Sequence, residues 1–298
     1  MKTHWHSKRG ICRYIVCIKM MTNNNMMVDF AMVNRFLLLF LILFVGVQSL
    51  FNNLINTITG MPSIGRFRGL SSLTMAGKIK VEDVLKAPDW PPKWPYAPSD
   101  FVRQDESVDS NFYANERLVY HIDDYAVDAL TKYYKKNIKD GSNVLDICSS
   151  WVSHYPSDSK YNKVAGLGMN KYELEQNKQL TEFTVKDLNQ DPIFPYSDNT
   201  FDYVTCVVSI DYLNKPLQVV SEINRVLKPG GKAIISQSNR CFPTKAIKIW
   251  LETNDLQHIF IIGSYFHYAG KFKPAEAEDI SPNPGRSDPM YIITAEKE

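Results

Sequence analysis

The amino-acid sequence predicts a doubly wound α/β fold, a mostly parallel seven-stranded sheet with helices on both faces. Three observations predict it. Short β-branched apolar runs alternate with stretches of helical period from residue 117 to the C-terminus. The first run ends in a cluster of small residues, Cys148-Ser149-Ser150, and the helical stretch before the fifth run stops at a Lys228-Pro229-Gly230-Gly231 turn. Such alternation implies right-handed crossovers and a parallel sheet, which binds ligands beyond the carboxyl ends of its strands at the switch point.

The elements follow in order. Residues 117–136 read as an amphipathic helix, because Leu118, Ile122, Tyr125, Ala129 and Tyr133 recur at steps of three and four, and Asp140-Gly141 stops it. Val144-Leu145-Asp146-Ile147 is a short buried strand. Residues 163–167 (KVAGL) form a second strand, followed by a short polar helix from Lys171. Residues 182–186 (EFTVK) form a third, ending at Asp187, and 201–210 (FDYVTCVVSI) a fourth. Residues 216–227 are helical, with Pro216 in the first turn, where a missing N–H costs nothing, and Leu217, Val220, Ile223 and Leu227 on one face. Residues 232–237 (KAIISQ) make the fifth strand. Helical patterns at 244–252 and 255–269 and two strands at 276–280 and 290–295 complete the chain. This order gathers residues 146–154, 168–170, 187 and 209–212 around one crevice.

The first 85 residues read as an address and not as part of the fold. Residues 36–47 (FLLLFLILFVGV) are apolar throughout, yet shorter than the roughly 20 residues a spanning helix needs. Arg35 precedes this run and Val47-Gln48-Ser49 follows it with the small or neutral residues of a signal cleavage site. If retained, the segment 36–55 would instead anchor the chain to a membrane. No acidic residue lies between Asp29 and Glu82, and Arg66, Arg68, Lys78 and several serines follow the apolar run. A signal followed by an acid-poor stretch, with Phe51 near the cut, resembles the bipartite presequence of algae with secondary plastids. A plastid destination is therefore expected, with an endomembrane or membrane-anchored location as the alternative. Residues 86–110, rich in proline (Pro88, Pro91, Pro92, Pro95, Pro98), read as an extended connector, with Trp90 and Trp94 placed to pack on the domain edge.

A formal net charge of +2 over 298 residues excludes a strong nucleic-acid field. The five cysteines form no CxxC and no zinc-ligand spacing, so no metal site is expected.

Four stretches carry a family resemblance: VLDICSS at 144–150, NTFDYVTCVVSIDYL at 199–213, EINRVLKPGGKAIIS at 222–236 and DPMYIITAEK at 288–297. In this order, the FD strand and the LKPGG turn resemble class I S-adenosylmethionine-dependent methyltransferases of the type 11 kind. CSSWVSHYP and SPNPGRSDPM are similar to a methyltransferase-like group of plants and algae. The resemblance implies an antiparallel C-terminal strand, S-adenosylmethionine as cofactor and a small-molecule or lipid-like acceptor. It also implies a cofactor site built from Asp146, Cys148, Ser149 and Ser150, then Gly168, Met169 and Asn170, then Asp187 and Leu188. Two departures stand out. Cys148 and Ser150 replace the glycines of the family's D-x-G-x-G loop, and Gly168 replaces its ribose-binding acid, leaving Asn170 as the nearest polar group. Asp187, at the end of strand three, keeps the place of the residue that accepts from the adenine amino group.

Methyl transfer needs an acceptor held in line and often a base. His154 and Asp211 are candidate bases, and Asn239 and Arg240, after strand five, are candidates to orient an acceptor carbonyl or carboxylate. The aromatic stretch Phe260, Tyr265, Phe266, His267, Tyr268 reads as core or as substrate cover. Two functions compete, a methyltransferase and a catalytically inactive binding or scaffold module of the same fold. A nicotinamide oxidoreductase would need G-x-G-x-x-G after strand one, where this chain has CSSWVS.

Overall fold

The computed structural model describes residues 80–298. The signal, anchor and presequence readings fall almost wholly on residues 1–79 and lie outside the described residues. Among the described residues, no helix is long and apolar enough to cross a membrane.

Seven strands form one sheet in the order β3-β2-β1-β4-β5-β7-β6. They are β1 (Asn143–Ser149), β2 (Lys163–Gly168), β3 (Glu182–Val185), β4 (Phe201–Val207), β5 (Leu227–Gln237), β6 (Glu276–Asp279) and β7 (Tyr291–Glu296). Strands β1 to β5 pair in parallel, while β7 runs antiparallel to β5, and β6 to β7. From β1 the chain winds outward to β2 and β3, then returns to place β4 and β5 on the other side. The switch point therefore lies at the carboxyl ends of β1 and β4. The central strands are buried on both faces, which is why they read as continuous apolar runs and not as alternating ones.

Among the described residues, six α-helices accompany the sheet: α1 (Asp109–Phe112), α2 (Asp124–Asn137), α3 (Lys171–Gln176), α4 (Pro216–Val226), α5 (Lys248–Leu251) and α6 (Asp255–Ala269). Helix α2 starts seven residues later than its apolar spacing predicts. The Asp123 carboxylate caps it by accepting from the Ala126 N–H at 2.9 Å, and Asp123 and Asp288 exchange backbone-to-carboxylate hydrogen bonds of 2.9 and 2.7 Å. A cap held by a residue far along the chain overrides local periodicity, and residues 117–123 are left to run irregularly across the site. Strand β4 likewise ends at Val207, and a 3₁₀ turn, Ile210–Tyr212, replaces the rest of the expected strand.

The proline-rich stretch is more than a connector, and the folded domain begins before residue 86. Val81, Val84 and Leu85 are buried in the main core. Leu85 lies so close to α6 that a Cβ on Gly263 would stand 2.5 Å from its side chain, so glycine there admits the strap. Trp90 stacks on His267 (5.1 Å) and packs on Phe260 (4.6 Å), and Trp94 meets Tyr96, Phe101, Tyr265 and Tyr268. Phe260, Tyr265 and Phe266 of α6 are thus core beneath this strap, while His267 is exposed beside Trp90.

Candidate active site

A cavity of about 250 Å³ opens at the switch point. Its wall takes in the loop after β1, the ends of β2 and β4, the turn after β3, and two segments that cross over it, 109–122 and 240–242.

The loop after β1 keeps a glycine-like path without glycines. Cys148 adopts φ +53°, so a residue with a Cβ occupies the left-handed region that normally calls for glycine. At this point β1 bulges, and Ser149 instead of Cys148 pairs with Gly168 on β2. His154 (φ +60°) and Val208 (φ +38°) share the left-handed region, and all three residues line the cavity. Such backbone costs on the order of 1–3 kcal/mol per residue and collects where function demands it.

Asp146 is fully committed inside the protein. Its carboxylate accepts from the hydroxyls of Ser149 (2.7 Å), Ser153 (2.7 Å) and Thr205 (3.2 Å). Burial raises its pKa to about 6 against the effect of those three donors. It therefore shapes the loop from beneath. Asn177 closes the loop from the far side, donating to the Ser150 carbonyl (3.0 Å) and the Ser153 hydroxyl (2.9 Å).

Asn170 does not serve as a free ribose partner. Its Oδ1 caps α3 at the Glu173 N–H (3.0 Å), and its Nδ2 donates to the carbonyls of Tyr113 (2.9 Å) and Ala114 (3.4 Å). Asp187, Leu188 and Met169 stand in the wall, with Asp187 Oδ1 also holding its own turn through the N–H groups of Asn189 (2.9 Å) and Gln190 (3.3 Å).

Two of the four candidate catalytic residues are not in the wall. Asn239 is exposed outside it. Asp211 is buried in the 3₁₀ turn behind it, where desolvation raises its pKa well above the carboxylate range and Oδ2 has no hydrogen-bond partner among the described residues. Behind the wall, its carboxyl does not face a substrate in the cavity. Arg240 lines the rim, mostly exposed and paired with Asp288 at 2.8 Å. His154 lines the cavity, nearly buried, with Nδ1 unpartnered among the described residues. Burial, with the nearby His121 adding to it, lowers the His154 pKa to about 4.

That depression sets a pH dependence. Between about pH 6.5 and 4 the unfolded chain takes up a proton that the folded protein refuses, so the histidine costs native stability as pH falls through that window and nothing above it. At pH 4.5 the cost is about 2.5 kcal/mol. Urea unfolding at pH 7.5 and 4.5 should show the wild type losing roughly that much more than His154→Asn, asparagine being tolerant of the left-handed backbone. Parallel profiles would refute the burial of a neutral imidazole.

Sequence reasoning missed several wall residues: Tyr113, Arg117, His121, Glu173, Phe242 and Asp109. Arg117 lies over the Phe112 and Phe242 rings (4.6 and 5.4 Å), donates to the Phe112 carbonyl (3.0 Å), and has no carboxylate partner among the described residues. Only its position on a segment misread as helix could have pointed to it.

Parts of the chain are similar to known proteins. Residues 146–235 match the family model described as a methyltransferase domain. A demethylmenaquinone methyltransferase of Bacillus mycoides (strain KBAB4) is 33% identical over 115 residues, 35% of this chain and 48% of that protein. The corresponding protein of Bacillus cereus (strain ATCC 10987 / NRS 248) is 32% identical over 113 residues, with the same coverage. The chain spans about half the length of these curated relatives. Among solved structures, a SAM dependent methyltransferase from Aquifex aeolicus aligns over 57% of this chain and 90% of its own, at 18% identity and a TM-score of 0.42. The segment 146–235, which carries much of the cavity wall, is thus similar to a methyltransferase domain.

Proposed function

We propose that the domain transfers a methyl group from S-adenosylmethionine to a small, planar, lipid-like acceptor bound in the switch-point cavity. The observation that carries this reading is the concentration of strained, left-handed non-glycine backbone at Cys148, His154 and Val208 around a single cavity. A turn packed only for stability would not hold three such residues around one cavity.

The donor set fits the cofactor. Adenosine asks for acceptors opposite its amino group and hydroxyls and an apolar slot for its ring. The wall offers the carboxylates of Asp187 and Glu173 beside Leu188 and Met169. Asp187 would accept from the adenine amino group, and the small side chains of Cys148, Ser149 and Ser150 leave the loop open to the amino-acid portion. Bound there, the cofactor supplies an electrophilic methyl on its sulfonium.

The chain's own residues do the rest. Tyr113, Tyr120, Trp151 and Phe242 give the cavity aromatic sides suited to a flat ring, and the demethylmenaquinone methyltransferases among its relatives support an acceptor of that kind. The Arg117 guanidinium, which has no carboxylate partner among the described residues, would orient an acceptor oxygen. His154 lines the cavity, and its depressed basicity suits it to shaping the acceptor pocket more than to acting as a strong base. Most of the acceleration would then come from alignment and exclusion of water.

Calorimetric titration of the full chain with S-adenosylhomocysteine tests the reading. Saturable binding is expected, and Asp187→Ala should weaken it about 10-fold. Absence of heat at millimolar ligand would favour an inactive scaffold of the same fold.

A further inference from the structure

Strand β2 ends without the carboxylate that this fold uses to hold a ribose, and the reason is steric. A Cβ at Gly168 would stand 2.1 Å from the Ser149 carbonyl oxygen and 3.0 Å from Leu174 Cδ2. The β1 bulge that sets Ser149 opposite Gly168 therefore forbids any side chain there. The adenosine proposed above still has two hydroxyls to satisfy, and four other carboxylates line the cavity.

Three of the four are engaged elsewhere. Asp109 accepts from Arg103, Lys245 and Asn189. Asp146 accepts from three hydroxyls. Asp187 belongs to the turn after β3, at the adenine end. Glu173 remains. It stands five residues past Gly168, in the first turn of the helix that leaves β2, nearly buried and in the cavity wall. Its Oε1 accepts from the Arg117 N–H at 2.7 Å, which fixes the side chain, while Oε2 accepts no hydrogen bond among the described residues and is not among the buried atoms lacking one. An oxygen with no protein partner that keeps contact with open space, on a residue that lines the cavity, is available to a ligand. Burial raises the pKa of this carboxyl, against the Arg117 N–H and charge, so a ligand donor would relieve a desolvated group.

We infer that Glu173 is the ribose-binding residue of this protein, accepting from the hydroxyls of the bound adenosine in place of the acid lost at Gly168. This rests on the S-adenosylmethionine reading above. Its consequence is specificity: the contact comes from a helix and not from the strand end, and it joins the ribose to the segment 113–122 through the Arg117 backbone. Ligand binding and the ordering of that segment over the cavity are then coupled through one carboxylate.

The test pairs a protein change with a ligand change, because a hydroxyl-to-carboxylate hydrogen bond can be removed from either side. S-adenosylhomocysteine and its 2′,3′-dideoxy analogue are titrated calorimetrically into the full chain and into Glu173→Gln, whose amide oxygen still accepts from Arg117. Glu173→Gln should weaken S-adenosylhomocysteine about 10- to 100-fold, while the dideoxy analogue should bind both proteins alike. Equal affinity of the two proteins for S-adenosylhomocysteine would overturn the assignment, as would an equal loss for both ligands, which marks a purely structural glutamate. If the unmodified protein binds neither ligand, the methyltransferase reading falls and this assignment falls with it.

Discussion

Replacing Asp109 with alanine is expected to lower the melting temperature by about 6–20 °C. The residue sits at the centre of a buried ionic cluster. Arg103 Nη1 donates to both its oxygens at 2.8 and 2.7 Å, Lys245 Nζ lies 3.1 Å away, and Asn189 Nδ2 donates at 2.9 Å. Lys245 is entirely buried, and Arg103 nearly so. Without Asp109, two cations lose their shared counter-charge in a place water does not reach, and removing one partner of such a pair costs about 3–5 kcal/mol. At 2–4 °C per kcal/mol for a domain of this size, the shift follows. Asp105, more than a third exposed and 3.0 Å from Lys245, offsets only part of the loss. Adding Lys245→Met should recover some stability, because it deletes the stranded charge, and the two effects should be clearly non-additive. A drop of under 3 °C in Asp109→Ala would show that the cluster relaxes or hydrates. The cluster also ties the segment 103–113 to the turn after β3 and to the loop after β5, three parts of the cavity rim. The variant should therefore lose ligand affinity along with stability.

The central strands were legible because burial on both faces leaves continuous apolar runs, and α4 and α6 because Pro216 and the apolar content of 255–269 mark them locally. What escaped was set by distant partners. Nothing near residue 117 announces that Asp123 is the cap, since the residue that holds it, Asp288, is 165 positions away. Leu85 and the two tryptophans follow the same rule: a proline-rich stretch looks like a linker until the helix it covers is in place. In the site, the order of strands brought residues 146–154 and Asp187 to one crevice. Asp211 and Asn239, although adjacent in sequence to wall residues, point elsewhere. Glu173 was hidden for another reason. A glutamate in the first turn of a short polar helix has the ordinary look of a solvated residue, and only the cavity beside it gives it a task.

Restoring the carboxylate with Gly168→Asp should fail. On the family pattern the change is a repair, returning an acid to the end of β2. In this chain the added Cβ would meet a backbone carbonyl at 2.1 Å, not the flexible tip of a side chain, and that carbonyl belongs to Ser149 within the β1 register. Overpacking of this kind costs typically 1–3 kcal/mol and occasionally more, and a backbone partner puts it at the top of the range, about 3 kcal/mol. Gly168→Ala separates the causes, since it makes the same clash without a charge. Equal loss of stability in the two variants identifies sterics, and neither should bind S-adenosylhomocysteine more tightly than the wild type. A well-folded Gly168→Asp with improved affinity would mean instead that the loop can retreat. The expected failure makes the two departures from the family one structural trait. Cys148 in left-handed backbone bulges β1, the bulge sets the Ser149 carbonyl against the end of β2, and only glycine fits opposite it. A protein that keeps this loop must take any ribose-binding carboxylate from another element, and the first turn of α3 sets Glu173 in the cavity wall.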